Sequence, residues 1–317
     1  MCFGYRLLSK GIDEMVIISL KFFLLIDYMF SIAYTHFRGK LRLKPIRQLT
    51  DHSSLMAPIN IVMYLCSAVP KTPYLDVQYF PELKLLRDNW ETIRDEAAML
   101  YKEGYIKASD QYDDIGFNSF FRKGWKRFYL KWYQDPIDSA KSLCPNTLNL
   151  IQQIPNINAA MFALLPKHSY LSKHRDPYAG SLRYHLGLIT PNSADCCIYV
   201  DGDRYYWQDG QDVMFDETYI HYAENKTEQD RIILFCDIQR PLNNKLAGWF
   251  NRFFSRTVMK ASASKNLPFE KVGFINQIFG HIYKIRLAGK KLKNYNKTLY
   301  SFVKYSLYLG ILYKILF

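Results

Sequence analysis

The chain has 317 residues, 49% hydrophobic and 22% charged, which is enough apolar material for a packed core and too much for a disordered chain. Fifteen Gly and thirteen Pro exclude collagen-like or low-complexity character, and six Cys without a CxxC pair indicate neither a disulfide framework nor a zinc ribbon. The net charge of +13 sits at the two ends around a mildly acidic middle, which points to an anionic membrane surface and not to nucleic acid.

After an N-terminal extension, 1–14, the run MVIISLKFFLLIDYMFSIAY over 15–34 has the length of a membrane anchor, about 20 helical residues for a hydrocarbon core of about 30 Å. Lys21 and Asp27 interrupt it. Arg38, Lys40, Arg42, Lys44 and Arg47 follow, and the positive-inside rule puts everything beyond residue 38 in the cytoplasm. A basic juxtamembrane linker is expected over 35–80. The stretch 81–155 is the helical part of the folded body. Leu83, Leu86, Trp90, Ile93, Ala97 and Leu100 have helical spacing, Asn118–Tyr133 reads as a strand pair or a helix, and Ser139–Gln153 as a short helix before Pro155.

From 156 to 244 the texture changes to short apolar runs: AAMFALL, LRYHLGLIT, CCIYV, RYYW, VMFD and RIILFCDI. Asp201-Gly202 and Asp209-Gly210 between them are hairpin signals, and the spacing predicts a jelly-roll core. Helices first and strands later make the fold α+β, a double-stranded β-helix with N-terminal helices and flanking membrane-associated terminal helices. A basic helical segment, 245–299, precedes the Tyr- and Lys-rich run 300–317, which either crosses a membrane or lies in its interface.

His174-Arg175-Asp176 presents two metal donors in a His-x-Asp frame, and His221 follows across two expected hairpins. Two imidazoles and one carboxylate on one face are the donor set of non-haem Fe(II) oxygenases. Asp176 is either the third ligand or a group behind a two-histidine site. Arg183 and His185 alternate along one strand and so share a face, and Arg231 opens the strand IILFCDI. An Arg pointing into a barrel is costly unless it meets an anion. That anion is either a dicarboxylate co-substrate or a protein carboxylate, with Asp216 or Asp237 as the partner.

The blocks HRDPYAGSLRYHLGL, WQDGQDVMFDETYIHYAEN and RIILFCDIQRP resemble the aspartyl/asparaginyl β-hydroxylase family of Fe(II)/2-oxoglutarate dioxygenases. With GFNSFFRKGWKRFYLKWY and the apolar ends, the likeness extends to the membrane-bound bacterial lipid A hydroxylases. The resemblance implies Fe(II) on His174, Asp176 and His221, and 2-oxoglutarate against Arg183, His185, Arg231 and Trp125, with O₂ as oxidant. It also implies a substrate, lipid A, hydroxylated beside the carbonyl of a secondary acyl chain at the cytoplasmic face of a bacterial inner membrane. The alternative activity is hydroxylation of Asp or Asn in a protein or peptide. One departure concerns a serine that the animal enzymes keep before the first iron ligand, where this chain has Phe162 or Ala163.

Overall fold

A long helix, α1 (Cys2–Phe37), leads into three short ones, α2 (Pro45–Leu49), α3 (His52–Leu55) and α4 (Ala57–Leu65). The computed structural model describes residues 2–109 and 112–316, except the side chains of 2–14, 16–18, 311, 312, 315 and 316. Ser31, Ile32 and Thr35 of α1 are buried against the body, whereas Phe22, Phe23, Ile26 and Phe30 are exposed. The expected crossing helices are corrected here: among the described residues no helix is long and apolar enough to cross a membrane. In the 15–34 run, Lys21 and Asp27 dilute the hydropathy and the last turns pack against protein; residues 16–18 lie outside the described side chains.

The middle helices are shorter than their periodicity suggests. After β1 (Tyr74–Leu75), the pattern around Leu83–Leu100 divides into α5 (Lys84–Asp88) and α6 (Trp90–Lys102). The aromatic stretch forms a single turn, α7 (Asn118–Phe121), and then β2 (Lys126–Trp132), followed by β3 (Asp135–Pro136). Where one short helix was expected there are two, α8 (Asp138–Leu143) and α9 (Pro145–Gln152). Pro145 takes the first position of α9 and leaves Cys144 in a non-helical conformation, so the helix breaks there.

Eight further strands follow: β4 (Ile157–Leu165), β5 (Ser169–His174), β6 (Ser181–Ile189), β7 (Cys196–Val200), β8 (Asp203–Tyr206), β9 (Asp212–Phe215), β10 (His221–Asn225) and β11 (Arg231–Gln239). They form a seven-stranded sheet, β1-β9-β6-β11-β4-β2-β3, and a four-stranded sheet, β5-β10-β7-β8, with every pairing antiparallel. This is a mixed α and β fold with a jelly-roll core. Asp201 and Gly202, at φ 54° and 95°, make the two-residue turn between β7 and β8. Asp209-Gly210 instead carries the chain from the small sheet to the large one.

Period-two alternation divides the interior. On β11, Ile232, Leu234, Cys236 and Ile238 face a cluster with Leu83, Leu86, Ile93, Leu100 and Ile151 of the helical layer. Ile233 and Phe235 face the small sheet, meeting Ile198, Trp207 and Ala223. With a helical layer on one side and a second sheet on the other, β4, β6 and β11 are buried almost throughout. The C-terminal part is α10 (Lys245–Phe254), α11 (Phe274–Tyr295) and α12 (Lys297–Leu316).

Candidate metal centre

Strand register assembles the centre. His174 ends β5, His221 begins β10, and the two are direct cross-strand partners with ring centroids 4.2 Å apart. Just beyond β5, the backbone N–H of Asp176 donates to the carbonyl of Glu217 at 2.9 Å, which brings the carboxylate to the same place. Ligand atoms of His174, Asp176 and His221 all lie within 4.8 Å of one another. Asp176 Oδ1 is 3.7 Å from His174 Nε2 and 4.0 Å from His221 Nε2.

Each imidazole has Nδ1 at a backbone carbonyl two residues earlier, His174 on Ser172 at 2.7 Å and His221 on Tyr219 at 3.0 Å. With Nδ1–H donating there, Nε2 keeps its lone pair for the shared centre. Burial pushes both histidines below their ordinary value, His221 to about 3, so both stay neutral at pH 7. Burial disfavours the Asp176 carboxylate as well, but Arg183 and, once protonated in acid, the two imidazoles outweigh it and hold that group down to about 2. Two neutral imidazole nitrogens and one carboxylate are a fitting donor set for a first-row divalent metal with open positions.

The same cleft is lined by Trp125, His185, Trp207 and Arg231. Arg231 is buried with its guanidinium 4.2 Å above the Trp207 ring. Its Nε and Nη1, the Trp207 Nε1 and both ring nitrogens of His185 are buried without a hydrogen-bond partner among the described residues. Burial lowers Arg231 to about 10. A desolvated guanidinium beside idle N–H donors is costly, and an anion entering the cleft would relieve that cost. These groups fit a carboxylate-bearing co-substrate. Trp125 is stacked on Phe117 at 4.7 Å, and His185 on Phe235 at 5.1 Å, so aromatic faces fix the polar rings.

Arg183 lies in the cleft wall but meets protein anions. Its Nη2 donates to Asp176 Oδ2 at 2.8 Å, its Nε is 3.0 Å from Asp237 Oδ1, and Glu217 also pairs with Nη2. Asp237 is the direct cross-strand partner of Arg183, so β6–β11 register supplies the carboxylate. Burial pushes Glu217 and Asp237 upward, partly opposed by Arg183. Of the two residues that replace the expected serine, Ala163 lines the cleft and Phe162 packs on the opposite face of β4.

Trp207 and Glu217 were missed from the sequence. Trp207 had a usable signal, standing just before the Asp209-Gly210 turn where the chain changes sheets. Glu217 had none, because its role depends on the 216–220 connection folding back under β5.

Residues 87–241 match the family model described as aspartyl/asparaginyl beta-hydroxylase. The ornithine lipid ester-linked acyl 2-hydroxylase of Rhizobium tropici is 37% identical over 48% of this chain and 52% of its own. The human aspartate beta-hydroxylase domain-containing protein 2 is 27% identical over 62% of this chain and 54% of its own. This chain therefore spans about half the length of the curated relatives it matches. Among solved structures, a Pseudomonas putida prolyl-4-hydroxylase shares 16% identity over 49% of this chain and 88% of its own, with a TM-score of 0.32.

Proposed function

We propose, from the membership of residues 87–241 in the aspartyl/asparaginyl β-hydroxylase family, that this protein hydroxylates the α carbon of an acyl chain on a membrane lipid, using Fe(II) and 2-oxoglutarate. The observation that carries this reading is one cleft holding both a His174–Asp176–His221 donor set and the buried, partnerless donors of Arg231, His185 and Trp207. The acyl 2-hydroxylase among the relatives supports a lipid acyl chain as substrate. A secondary acyl chain of lipid A is the substrate expected from the sequence, and the ester-linked chain of an ornithine lipid is the one its relative is named for.

His174, Asp176 and His221 would hold the iron. With 2-oxoglutarate beside it, the pair supplies the oxidising chemistry: O₂ is consumed, the keto acid becomes succinate and CO₂, and one oxygen atom enters a C–H bond. The protein's own part is positional. Arg231 would offer its guanidinium to a carboxylate of the diacid, with His185 and Trp207 adding N–H donors nearby. Phe117, Trp125, Phe215 and Phe235 line the cleft with ring faces and keep water out.

The place of action proposed is the cytoplasmic face of a bacterial inner membrane. Phe22, Phe23, Ile26 and Phe30 project outward from α1, and Lys40, Arg42, Lys44 and Arg47 are exposed just after it. Apolar side chains next to a basic segment suit an anionic lipid surface, where a substrate that cannot leave the bilayer is met. The test is incubation of purified protein with Fe(II), 2-oxoglutarate and O₂ and either lipid A or ornithine lipid, followed by mass spectrometry. One lipid should gain a single oxygen on an acyl chain, with one succinate formed per hydroxyl. No oxygen gain in either lipid, alongside hydroxylation of Asp or Asn in a peptide, would overturn the lipid assignment.

A further inference from the structure

We infer that Arg183 is a positioning residue for the iron ligand Asp176, clamped by Glu217 and Asp237. The inference rests on the iron reading above and concerns how that site is held. Asp176 divides its two oxygens. Oδ2 accepts from Arg183 Nη2 at 2.8 Å, while Oδ1 faces the two histidine Nε2 atoms at 3.7 and 4.0 Å. One oxygen is thus anchored to the protein and the other is offered to the centre, the arrangement for a carboxylate that binds through one atom. A free aspartate on a loop would rotate between several orientations; an Arg on one oxygen leaves it few.

Arg183 is itself fixed from behind. Its Cζ lies 3.7 Å over the Phe235 ring, its Nε is 3.0 Å from Asp237 Oδ1, and Glu217 pairs with Nη2. Tyr133 donates to Asp237 Oδ2 at 3.1 Å and Ser181 donates to Glu217 Oε1 at 2.7 Å, so both clamping carboxylates are held in turn. Glu217 reaches Asp176 twice, once through Arg183 and once through its own carbonyl, which accepts from the Asp176 N–H at 2.9 Å. Arg183 has a hydrogen bond to Asp176 and stands within ion-pair distance of Glu217 and Asp237, whereas Arg231 has no carboxylate at ion-pair distance among the described residues. A buried Arg ringed by three carboxylates is poor value as a stabilising pair, because desolvating four charges offsets most of their attraction. Orienting a ligand is a use that justifies it.

The test is anaerobic Fe(II) titration of the full chain without 2-oxoglutarate, on wild type, Arg183→Met, Asp237→Asn, Asp176→Ala and the Arg183→Met/Asp176→Ala double variant. Arg183→Met should weaken Fe(II) binding by about 10–100-fold, the range for removing a partner that orients a metal ligand. The double variant should bind no worse than Asp176→Ala, since Arg183 acts through Asp176. Asp237→Asn, which keeps shape and size, should weaken Fe(II) binding by a few-fold and decides the matter if Arg183→Met fails to fold. Fe(II) affinity unchanged in Arg183→Met or Asp237→Asn, or losses that add in the double variant, would overturn the inference. Failure of wild type to bind Fe(II) at all would instead overturn the reading on which it rests.

Discussion

Arg231 is the residue on which the proposed co-substrate recognition turns. Its guanidinium is buried over an indole ring with two nitrogens unpaired, and Trp207 and His185 add further idle donors in the same cleft. Hydrogen bonds from a charged group contribute about 1.5–3 kcal/mol each, so Arg231→Gln should weaken 2-oxoglutarate binding by about 100-fold. Calorimetry on Fe(II)-loaded protein measures this, and Fe(II) affinity should stay within about twofold of wild type. The histidines make a separate prediction about pH. An exposed imidazole at its ordinary value of about 6.5 would cost roughly tenfold in metal affinity at pH 5.5, for each histidine. Burial holds His221 near 3 and lowers His174, so the folded site takes up those protons only at a lower pH than exposed imidazoles would. Cobalt(II) affinity should therefore fall by less than about tenfold between pH 7 and pH 5.5, well short of the loss that two exposed imidazoles would give. At this scale the sequence told much. The His-x-Asp frame and the alternation of Arg183 with His185 singled out residues that the structure brings to one cleft, and an Arg–Asp pair through Asp237 was one of the two readings open for Arg183. That Arg183 meets Asp237 depends on β6–β11 register, and single-chain spacing does not carry register between strands.

Among the elements, α1 is tied to the strands that carry the candidate metal donors. Arg38, in the residue after α1, pairs with Asp216 at 2.6 Å, and Arg240 pairs with the same oxygen at 2.8 Å, all with little or no exposure. Arg38 also lies 4.0 Å over Tyr64 and 3.9 Å over Tyr219, while Arg175, between two metal donors, donates to the Thr35 carbonyl in the last turn of α1. The Asp201 carboxylate accepts from the backbone N–H of Lys40 and Leu41, each at 2.8 Å. Asp216→Ala would leave two buried guanidinium groups facing each other, and should cost about 3–5 kcal/mol of stability, read from the urea midpoint. The Gly in RYHLGL has an equally local cause. A Cβ on Gly187 would stand 2.0 Å from the Gln208 carbonyl oxygen, a backbone atom that cannot swing away. Gly187→Ala should cost at least about 2–3 kcal/mol in the same measurement. The strands β5 and β10 were not legible, because SYLSKH, largely unburied, and HYAEN, buried on alternate residues, are polar and lack an apolar run. The long strands of the large sheet were legible because burial on both faces makes them continuously apolar.

Across the whole molecule, the charge is arranged so that the mildly acidic middle lies between two basic ends. Exposed Phe22, Phe23 and Phe30 on α1, and exposed Phe302, Leu307 and Leu309 on α12, accompany that charge. Binding to vesicles containing anionic lipid should fall steeply with added salt, and replacing Phe22, Phe23 and Phe30 together by Ser should weaken it by at least about tenfold in co-sedimentation. The jelly-roll core was readable from turn spacing and strand length, whereas the fate of the apolar ends was not: hydropathy does not distinguish a helix that packs its last turns on protein from one surrounded by lipid. The site itself is tested most directly by adding 2-oxoglutarate anaerobically to the Fe(II)-loaded protein and watching for the visible charge-transfer band of a keto acid chelated to ferrous iron. The band should form in wild type, be lost in His221→Ala, and need far more 2-oxoglutarate in Arg231→Gln. A wild-type protein that takes up Fe(II) yet gives no band, or a band that survives in His221→Ala, would contradict the account.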